Sequence, residues 1–468
     1  MIFTSFKLEN FKGIGESVEI DLSGGDRRFP FILVGNNESG KTTTLQGIYL
    51  LSQLCLGKQL TDEELASIRP KIGYFNKGII LSATISVDEA EIEKLAKLNT
   101  LKKIKDDFSE NNQLNLSFVY SFAKSCCTEK RVMINNEDYG DKTVTTLLTY
   151  IKDHIPEIVY YDDFMFDVPN KIRFLKNAAQ DSNEQLKQDS LLNDKKNLLW
   201  HDIFNDLLIG AHKQQTGGKT ESNINFQCDV IDCDDKDAVK QRLSSMNDYL
   251  NTVVTRDWED ITGGKTVFDS FSIEEVTGSN PNFLDFCLEV KAKGRTFSLH
   301  ERSKGCRWFF CFKVFTDIRT NRSKNGTIFL LDEPASNLHI HPQEKILQSL
   351  QKLSGSDNNS VIYSTHSPYL IEETQIDNLF IVRNEASDCD HPKILCSKIS
   401  QLDNESDEVS RSVEPFLQKL MMSGVKHLGN NWKERFLRCC SVIKEVGPVA
   451  DSAQKIANLI RFVCDKLY

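Results

Sequence analysis

Phe31-Ile-Leu-Val34-Gly35-Asn36-Asn37-Glu38-Ser39-Gly40-Lys41-Thr42-Thr43 is the stretch on which the reading of this chain turns. The apolar run Phe31–Val34 predicts a buried strand, and Thr43-Thr-Leu-Gln-Gly-Ile-Tyr49 has the spacing of a helix start. A glycine-bearing loop between them lets backbone N–H groups converge on an anion at the positive end of the helix. Lys41 can then reach the outer phosphates of a nucleotide, and the Thr42 hydroxyl suits Mg²⁺. Gly35 through Thr43 therefore read as a nucleotide phosphate cradle.

A second segment supplies the acids such a cradle needs. Thr327-Ile-Phe-Leu-Leu-Asp332-Glu333-Pro334 is a continuous apolar strand tipped by two carboxylates. Asp332 is placed to hold Mg²⁺ through water, and Glu333 to position and polarise the attacking water. Further on, Ser360-Val-Ile-Tyr-Ser-Thr365 reads as a strand with His366 at its C-terminal end, where an imidazole can reach a γ-phosphate from the side. Upstream, Ser303-Lys304-Gly305 opens an aromatic helix; taken alone, the serine is an ordinary N-cap.

In this order the four features resemble the ATP-binding-cassette (ABC) ATPases, with Ser303-Lys304-Gly305 where that family has its signature motif. The resemblance implies an α/β, ABC-type P-loop head that binds ATP and Mg²⁺. It also implies a homodimer in which Ser303, Lys304 and Gly305 of one head act in trans on the ATP of the other. Phe6-Lys-Leu8-Glu-Asn10-Phe11-Lys12-Gly, followed by Glu19-Ile-Asp-Leu22, is similar to the opening strands of the SMC, RecF and Rad50 branch. The run from Glu333 to Pro342, Glu-Pro-x-x-x-Leu-His-x-His-Pro, resembles the overcoming-lysogenization-defect (OLD) ATPases. Two features depart from the pattern. Lys304 stands where the usual signature has a second glycine, and no glutamine loop is evident. Ile158-Val-Tyr-Tyr-Asp162-Asp163 falls roughly where that switch belongs, so Asp162 or Asp163 is a candidate metal-linked residue; the same stretch also reads as a buried strand followed by a turn.

Composition agrees with a folded, non-membrane ATPase. The chain has 468 residues, of which 40% are hydrophobic, and no run approaches the roughly 20 apolar residues of a membrane span. Its start lacks a basic n-region and a cleavable apolar core, so no secretion signal is expected. The 13 cysteines form no Cys-x-x-Cys, which favours reduced thiols in a cytoplasmic protein over disulfides or zinc. A formal net charge of −10 gives no overall drive toward nucleic acid.

The expected organisation is a first ATPase lobe over 1–90, a largely helical insertion over 91–284, a second lobe over 285–400 and a helical C-terminal region over 401–468. Charged stretches at Asp88–Lys105 and Asp237–Trp258 predict helices in the insertion, and Gln214-Gln-Thr-Gly-Gly-Lys-Thr-Glu a loop. No Toprim-like acid pattern follows His366, and no His/Asn nuclease cluster is recognisable. Nuclease chemistry is therefore expected on another polypeptide. A stand-alone ATPase of this kind resembles the ATPase subunits of bacterial anti-phage systems, the PARIS type foremost and the Septu type as the near alternative. That resemblance implies a scaffold for a co-encoded effector, released when a phage-encoded trigger is sensed. Two other functions stay open at this point: a RecF-like DNA-repair clamp that binds DNA directly, and a housekeeping ATPase with an unguessed client.

Overall fold

The computed structural model describes residues 1–70, 78–98, 108, 112–121, 126–134, 137–138, 141–162, 167–176, 188–218, 224–262, 268–276, 280–319, 325–336, 338, 340–356, 358–372, 376–385, 393–398, 415 and 419. They divide into two compact units, Met1–Tyr160 with Asn325–Ser336 and Leu347–Tyr468, and Tyr161–Lys324 with Asn337–Ile346.

The first unit opens with β1 (Ile2–Phe11), β2 (Ile14–Asp21) and β3 (Phe31–Val34), then α1 (Lys41–Cys55) and α2 (Asp62–Ile68). After β4 (Ile79–Ser86) and α3 (Glu89–Ala96) come β5 (Gln113–Ser121), β6 (Cys126–Ile134) and β7 (Glu137–Asp138), α4 (Asp141–His154) and β8 (Glu157–Tyr161). Six of these strands form one sheet in the order β2-β1-β4-β5-β6-β7, with antiparallel neighbours throughout. Strict alternation explains it. In β4, Ile79, Leu81, Ala83 and Ile85 are buried while their neighbours are half-exposed, and Leu114, Leu116, Phe118 and Tyr120 repeat the pattern in β5. Such a sheet buries one face and leaves the other to water.

The strands of β5 to β7, and β8 beyond them, correct the expectation of a largely helical insertion starting at 91. The charged helix at its start is real, as α3 capped by Asp88, but period-2 patterning follows it and extends the first sheet well past residue 90.

The second unit contains β9 (Ile172–Leu175), α5 (Lys195–Thr216), α6 (Lys236–Thr262), β10 (Ser270–Val276), β11 (Phe283–Ala292), β12 (Arg295–Ser298) and α7 (Lys304–Lys313). Strands β10, β12 and β9 all pair antiparallel with β11. Trp200, Phe204, Phe226, Phe286, Phe310 and Phe315 pack as a buried aromatic core, with ring centroids 5.2 to 6.4 Å apart between successive partners. Asn251 and Asn247, one turn apart on α6, exchange hydrogen bonds with the backbone of Phe271 and Ile273, so side-chain amides cover that part of the β10 edge. The helix expected at Asp237–Trp258 lies within α6. Gln214–Thr216, expected as loop, instead end α5, which Gly217 terminates at φ +64°.

The chain then returns to the first unit through β13 (Thr327–Leu331), β14 (Ser360–Thr365), β15 (Leu379–Asn384) and β16 (Ile394–Lys398), while the residues of α8 (Ile340–Ser354) are divided between the two units after Ile346. A second six-stranded sheet has the order β16-β15-β3-β14-β13-β8, with β15, β3, β14 and β13 parallel. Strands β3, β13 and β14 are buried at every position, as strands covered on both faces must be. Strands from 31–34 and from 327–398 thus meet in one sheet, in which β16 runs antiparallel to β15. One hydrophobic cluster joins both sheets of this unit through Leu8, Leu33, Leu45, Ile48, Leu330 and Ile362. Gly47 lets α1 approach β1 closely there, since a Cβ would lie 2.5 Å from Leu8 Cδ1 and the Leu8 side chain would have to shift. Of the proposed C-terminal region only Pro415 and Lys419 are described, so the helices expected over 401–468 lie outside the described residues.

Candidate active site

Parallel pairing aligns Val34 with Thr365, and Leu331 with Tyr363, so the C-terminal ends of β3, β14 and β13 lie side by side. Every expected nucleotide-site group of the first unit follows one of those three ends. That edge is where open α/β sheets bind ligands.

After β3 the loop turns through Glu38 at φ +63° and Gly40 at φ +104°. Asn36, Asn37, Glu38 and Thr42 are exposed, Gly40 and Thr43 are half-exposed, and Gly35, Ser39 and Lys41 are buried. A Cβ on Gly35 would lie 2.2 Å from the Val382 carbonyl oxygen and 2.7 Å from Ser39 Oγ, which explains the glycine. Gly40 is the N-cap of α1 and contributes no side-chain cap, so the first N–H groups of the helix face the loop uncapped. The Ser39 hydroxyl is buried without a hydrogen-bond partner among the described residues.

Lys41 folds back over its own loop. Its ammonium donates to the carbonyl oxygens of Gly35 at 2.8 Å and Asn36 at 2.9 Å, and pairs with Glu333 Oε1 at 3.2 Å. The second oxygen of Glu333 lies 2.8 Å from His366 Nδ1 and accepts the His366 backbone N–H at 3.3 Å. Burial alone would raise the Glu333 carboxyl, but the His366 hydrogen bond and the nearby charge of Lys41 outweigh it and hold the group below the ordinary glutamate range. The same hydrogen bond to Glu333 raises the His366 imidazole against the opposing effect of its partial burial.

Glu333 adopts φ +49° and Ala335 φ +67°, left-handed conformations that cost a non-glycine residue roughly 1–2 kcal/mol each. Glu333 N–H donates to Ser364 Oγ at 2.8 Å, and that hydroxyl donates to Asp332 Oδ1 at 2.6 Å. Asp332 Oδ2 accepts from the Tyr160 hydroxyl at 3.2 Å. Asp332, expected as a metal-linked acid, is therefore buried with one hydrogen bond on each oxygen, which leaves lone pairs on both for a hard cation or its waters.

The structure brings Lys41, Asp332, Glu333 and His366 together in the first unit. The signature residues lie in the second unit: Ser303 is the exposed N-cap of α7 and accepts from Cys306 N–H at 3.4 Å. Lys304 is exposed, and a Cβ on Gly305 would lie 3.2 Å from Leu338 Cδ2. Asp163 lies outside the described residues, as do Asn337 and His339. Asp162 is described and half-exposed. The group that reaches Asp332 from this neighbourhood is Tyr160. Sequence reasoning missed Tyr160 and Ser364, because nothing in a strand's apolar pattern says which polar side chain will face an acid on the next strand. Among the described residues no cluster of His, Cys, Asp and Glu is arranged to hold a metal by itself. No described helix is long and apolar enough to cross a membrane.

The AAA ATPase domain family (AAA_15) matches residues 1–371, and the chain belongs to that family. It is thus an ATPase by family. An uncharacterized protein of Methanocaldococcus jannaschii, MJECL43, is 32% identical over 84 residues, which span 17% of this chain and 21% of that protein. Among solved structures, an Smc head bound to the C-winged helix domain of ScpA aligns at TM-score 0.46 and 12% identity, over 85% of this chain and 97% of its own. An Smc head with an extended coiled coil, bound to the C-terminal domain of ScpA derived from Pyrococcus furiosus, aligns at 0.42 and 15%, over 89% and 100%. The SMC head domain of Thermotoga maritima aligns at 0.38 and 12%, over 85% and 99%.

Proposed function

We propose that this AAA ATPase-domain chain binds and hydrolyses ATP as the sensor or scaffold subunit of a bacterial anti-phage defence complex, and controls a separate effector nuclease. The observation that carries the catalytic part is the continuous series from Lys41 through Glu333 to His366 at the ends of three parallel strands. The phosphates of ATP enter the Gly35–Thr43 loop, where uncapped helix N–H groups and the Ser39 hydroxyl offer donors. Lys41 exchanges Glu333 and its two loop carbonyls for the β- and γ-phosphates. Glu333, relieved of Lys41 and still hydrogen-bonded to His366, orients the attacking water and accepts its proton. His366 is held beside the γ-phosphate by that same bond.

Thr42, and Asp332 through water, would hold Mg²⁺, and the bound ion would neutralise charge on the transferring phosphoryl group. Two heads sandwiching two nucleotides would use Ser303, Lys304 and Gly305 of the opposite chain, with the N-terminus of α7 facing the γ-phosphate. ATP then acts as a conformational ligand. Its preference for engaged over open heads sets how firmly the effector is retained, a coupling of typically about 1–3 kcal/mol.

The defence role rests on the OLD-like Glu333–Pro342 run and on phosphate-handling residues without a recognisable nuclease constellation beside them. The test incubates the purified chain with ATP, Mg²⁺, plasmid, single-stranded DNA and total RNA, alone and with the product of the adjacent gene. ATP hydrolysis without nucleic-acid cleavage by the isolated chain, and cleavage or phage protection only with the second protein, is expected. Robust cleavage by the isolated chain, abolished by a substitution within it, would overturn the scaffold role.

A further inference from the structure

We propose that Ser364 and Tyr160 are positioning residues that set the orientation of the acid pair, and so set divalent-cation affinity at the nucleotide site. This rests on the ATPase reading above and goes beyond it. Ser364 sits on β14, fully buried, two residues before His366. Its single hydroxyl does two things: it accepts the backbone N–H of Glu333 at 2.8 Å and donates its proton to Asp332 Oδ1 at 2.6 Å. The first bond holds the left-handed peptide at Glu333, where φ is +49°. The second fixes one oxygen of Asp332, and Tyr160 on β8 fixes the other at 3.2 Å. With both oxygens tied from opposite strands of the sheet, the carboxylate cannot rotate about its Cβ–Cγ bond without losing a partner. The directions of its remaining lone pairs are therefore fixed.

The tyrosine is in turn braced. Its ring lies 5.8 Å from that of Tyr49 on α1, the helix that begins at Lys41. The hydroxyls thus do for Asp332 what outer hydrogen bonds do for any metal-binding carboxylate, and removing such partners typically weakens metal binding or activity by about 10–100-fold.

The experiment uses the full chain with a non-hydrolysable ATP analogue and Mn²⁺, and reads the Mn²⁺ dissociation constant from water-proton relaxation. Ser364→Ala should raise that constant by about tenfold or more, and lower kcat with little change in KM for ATP. Ser364→Thr, which keeps the hydroxyl, should restore both toward the parent. Tyr160→Phe keeps the ring and should raise the constant by at least about threefold. A merely structural serine would lower the melting temperature without moving the Mn²⁺ constant. A folded Ser364→Ala protein within about twofold of the parent for Mn²⁺ refutes the proposal; should that variant not fold, the same result for Tyr160→Phe refutes it. A parent chain that does not bind the analogue refutes the ATPase reading and this proposal with it, so the two failures are distinguishable.

Discussion

Glu333→Gln should separate ATP binding from ATP hydrolysis, and should shift the two in opposite directions. Before nucleotide can be held, Lys41 must leave Glu333, whose Oε1 is 3.2 Å away; the two side chains are 6% and 21% exposed. At an effective dielectric constant of about 20, two unit charges at that separation attract by about 5 kcal/mol, which is a ceiling on what neutralising the glutamate removes. Lys41 keeps its bonds to the Gly35 and Asn36 carbonyls, and a glutamine oxygen can still accept from it. We therefore expect about 1–2 kcal/mol of competition to be relieved, which tightens ATP binding by about 5- to 30-fold. Hydrolysis should fall by at least about 100-fold, because the water loses its positioning base. Titration with a fluorescent ATP analogue at fixed Mg²⁺, beside phosphate release by the same preparations, measures both. Weaker ATP binding by Glu333→Gln, or hydrolysis at the parent rate, would refute the view that one carboxylate both restrains Lys41 and activates water.

Three further outcomes follow from the same geometry. The raised imidazole of His366 means that its ion pair with Glu333 adds stability that is fully present below the ordinary histidine value of about 6.5 and is lost as pH rises through the folded value. The lowered Glu333 adds stability present above the ordinary glutamate value of about 4.3 and lost as pH falls through its folded value. An NMR titration of His366 should give a midpoint above the ordinary value, and Glu333→Gln should bring it back down; an unmoved midpoint would remove the ion pair from the site. Gly35→Ala forces a Cβ to within 2.2 Å of the Val382 carbonyl, so a lower thermal midpoint, by about 1–3 kcal/mol of overpacking, and loss of ATP binding are expected in thermal-shift and titration measurements. Mixing a Lys41→Ala protein with a Ser303→Arg protein should restore one working site per heterodimer in a phosphate-release assay; no recovery with heterodimers shown to form would place the completing residues within one chain.

The chemistry of the nucleotide edge was legible in the sequence because it is carried by short contiguous runs. Phe31–Val34 and Ile328–Leu331 are apolar without alternation, as a strand covered on both faces requires, and they and Ser360–Thr365 each end directly at a candidate site residue or loop. Gly35, Gly40 and Lys41, Asp332 and Glu333, and His366 could therefore be named as candidates before any contact was known. The helices at Glu89–Ala96 and Lys236–Thr262 were legible for the same local reason, since charge and apolar spacing alone mark a helix.

Which strands become neighbours is decided only in three dimensions. Residue 90 looked like the end of a lobe because the next stretch is charged and helical, yet β5 to β7 return to the first sheet across that helix, and β8 joins the nucleotide sheet. The hydroxyl contacts to Asp332 depend wholly on strand pairing. Ser364 meets Asp332 across 32 positions of sequence, and Tyr160 across 172. Neither has a local pattern that marks it, because a hydroxyl in a buried strand acquires its meaning from the acid that parallel or edge pairing sets opposite it. The sequence alone marked a candidate nucleotide site at the ends of buried strands. Tertiary structure decided how its acids are held, and that Lys41 rests on Glu333, since both depend on distances between segments that share no neighbourhood along the chain.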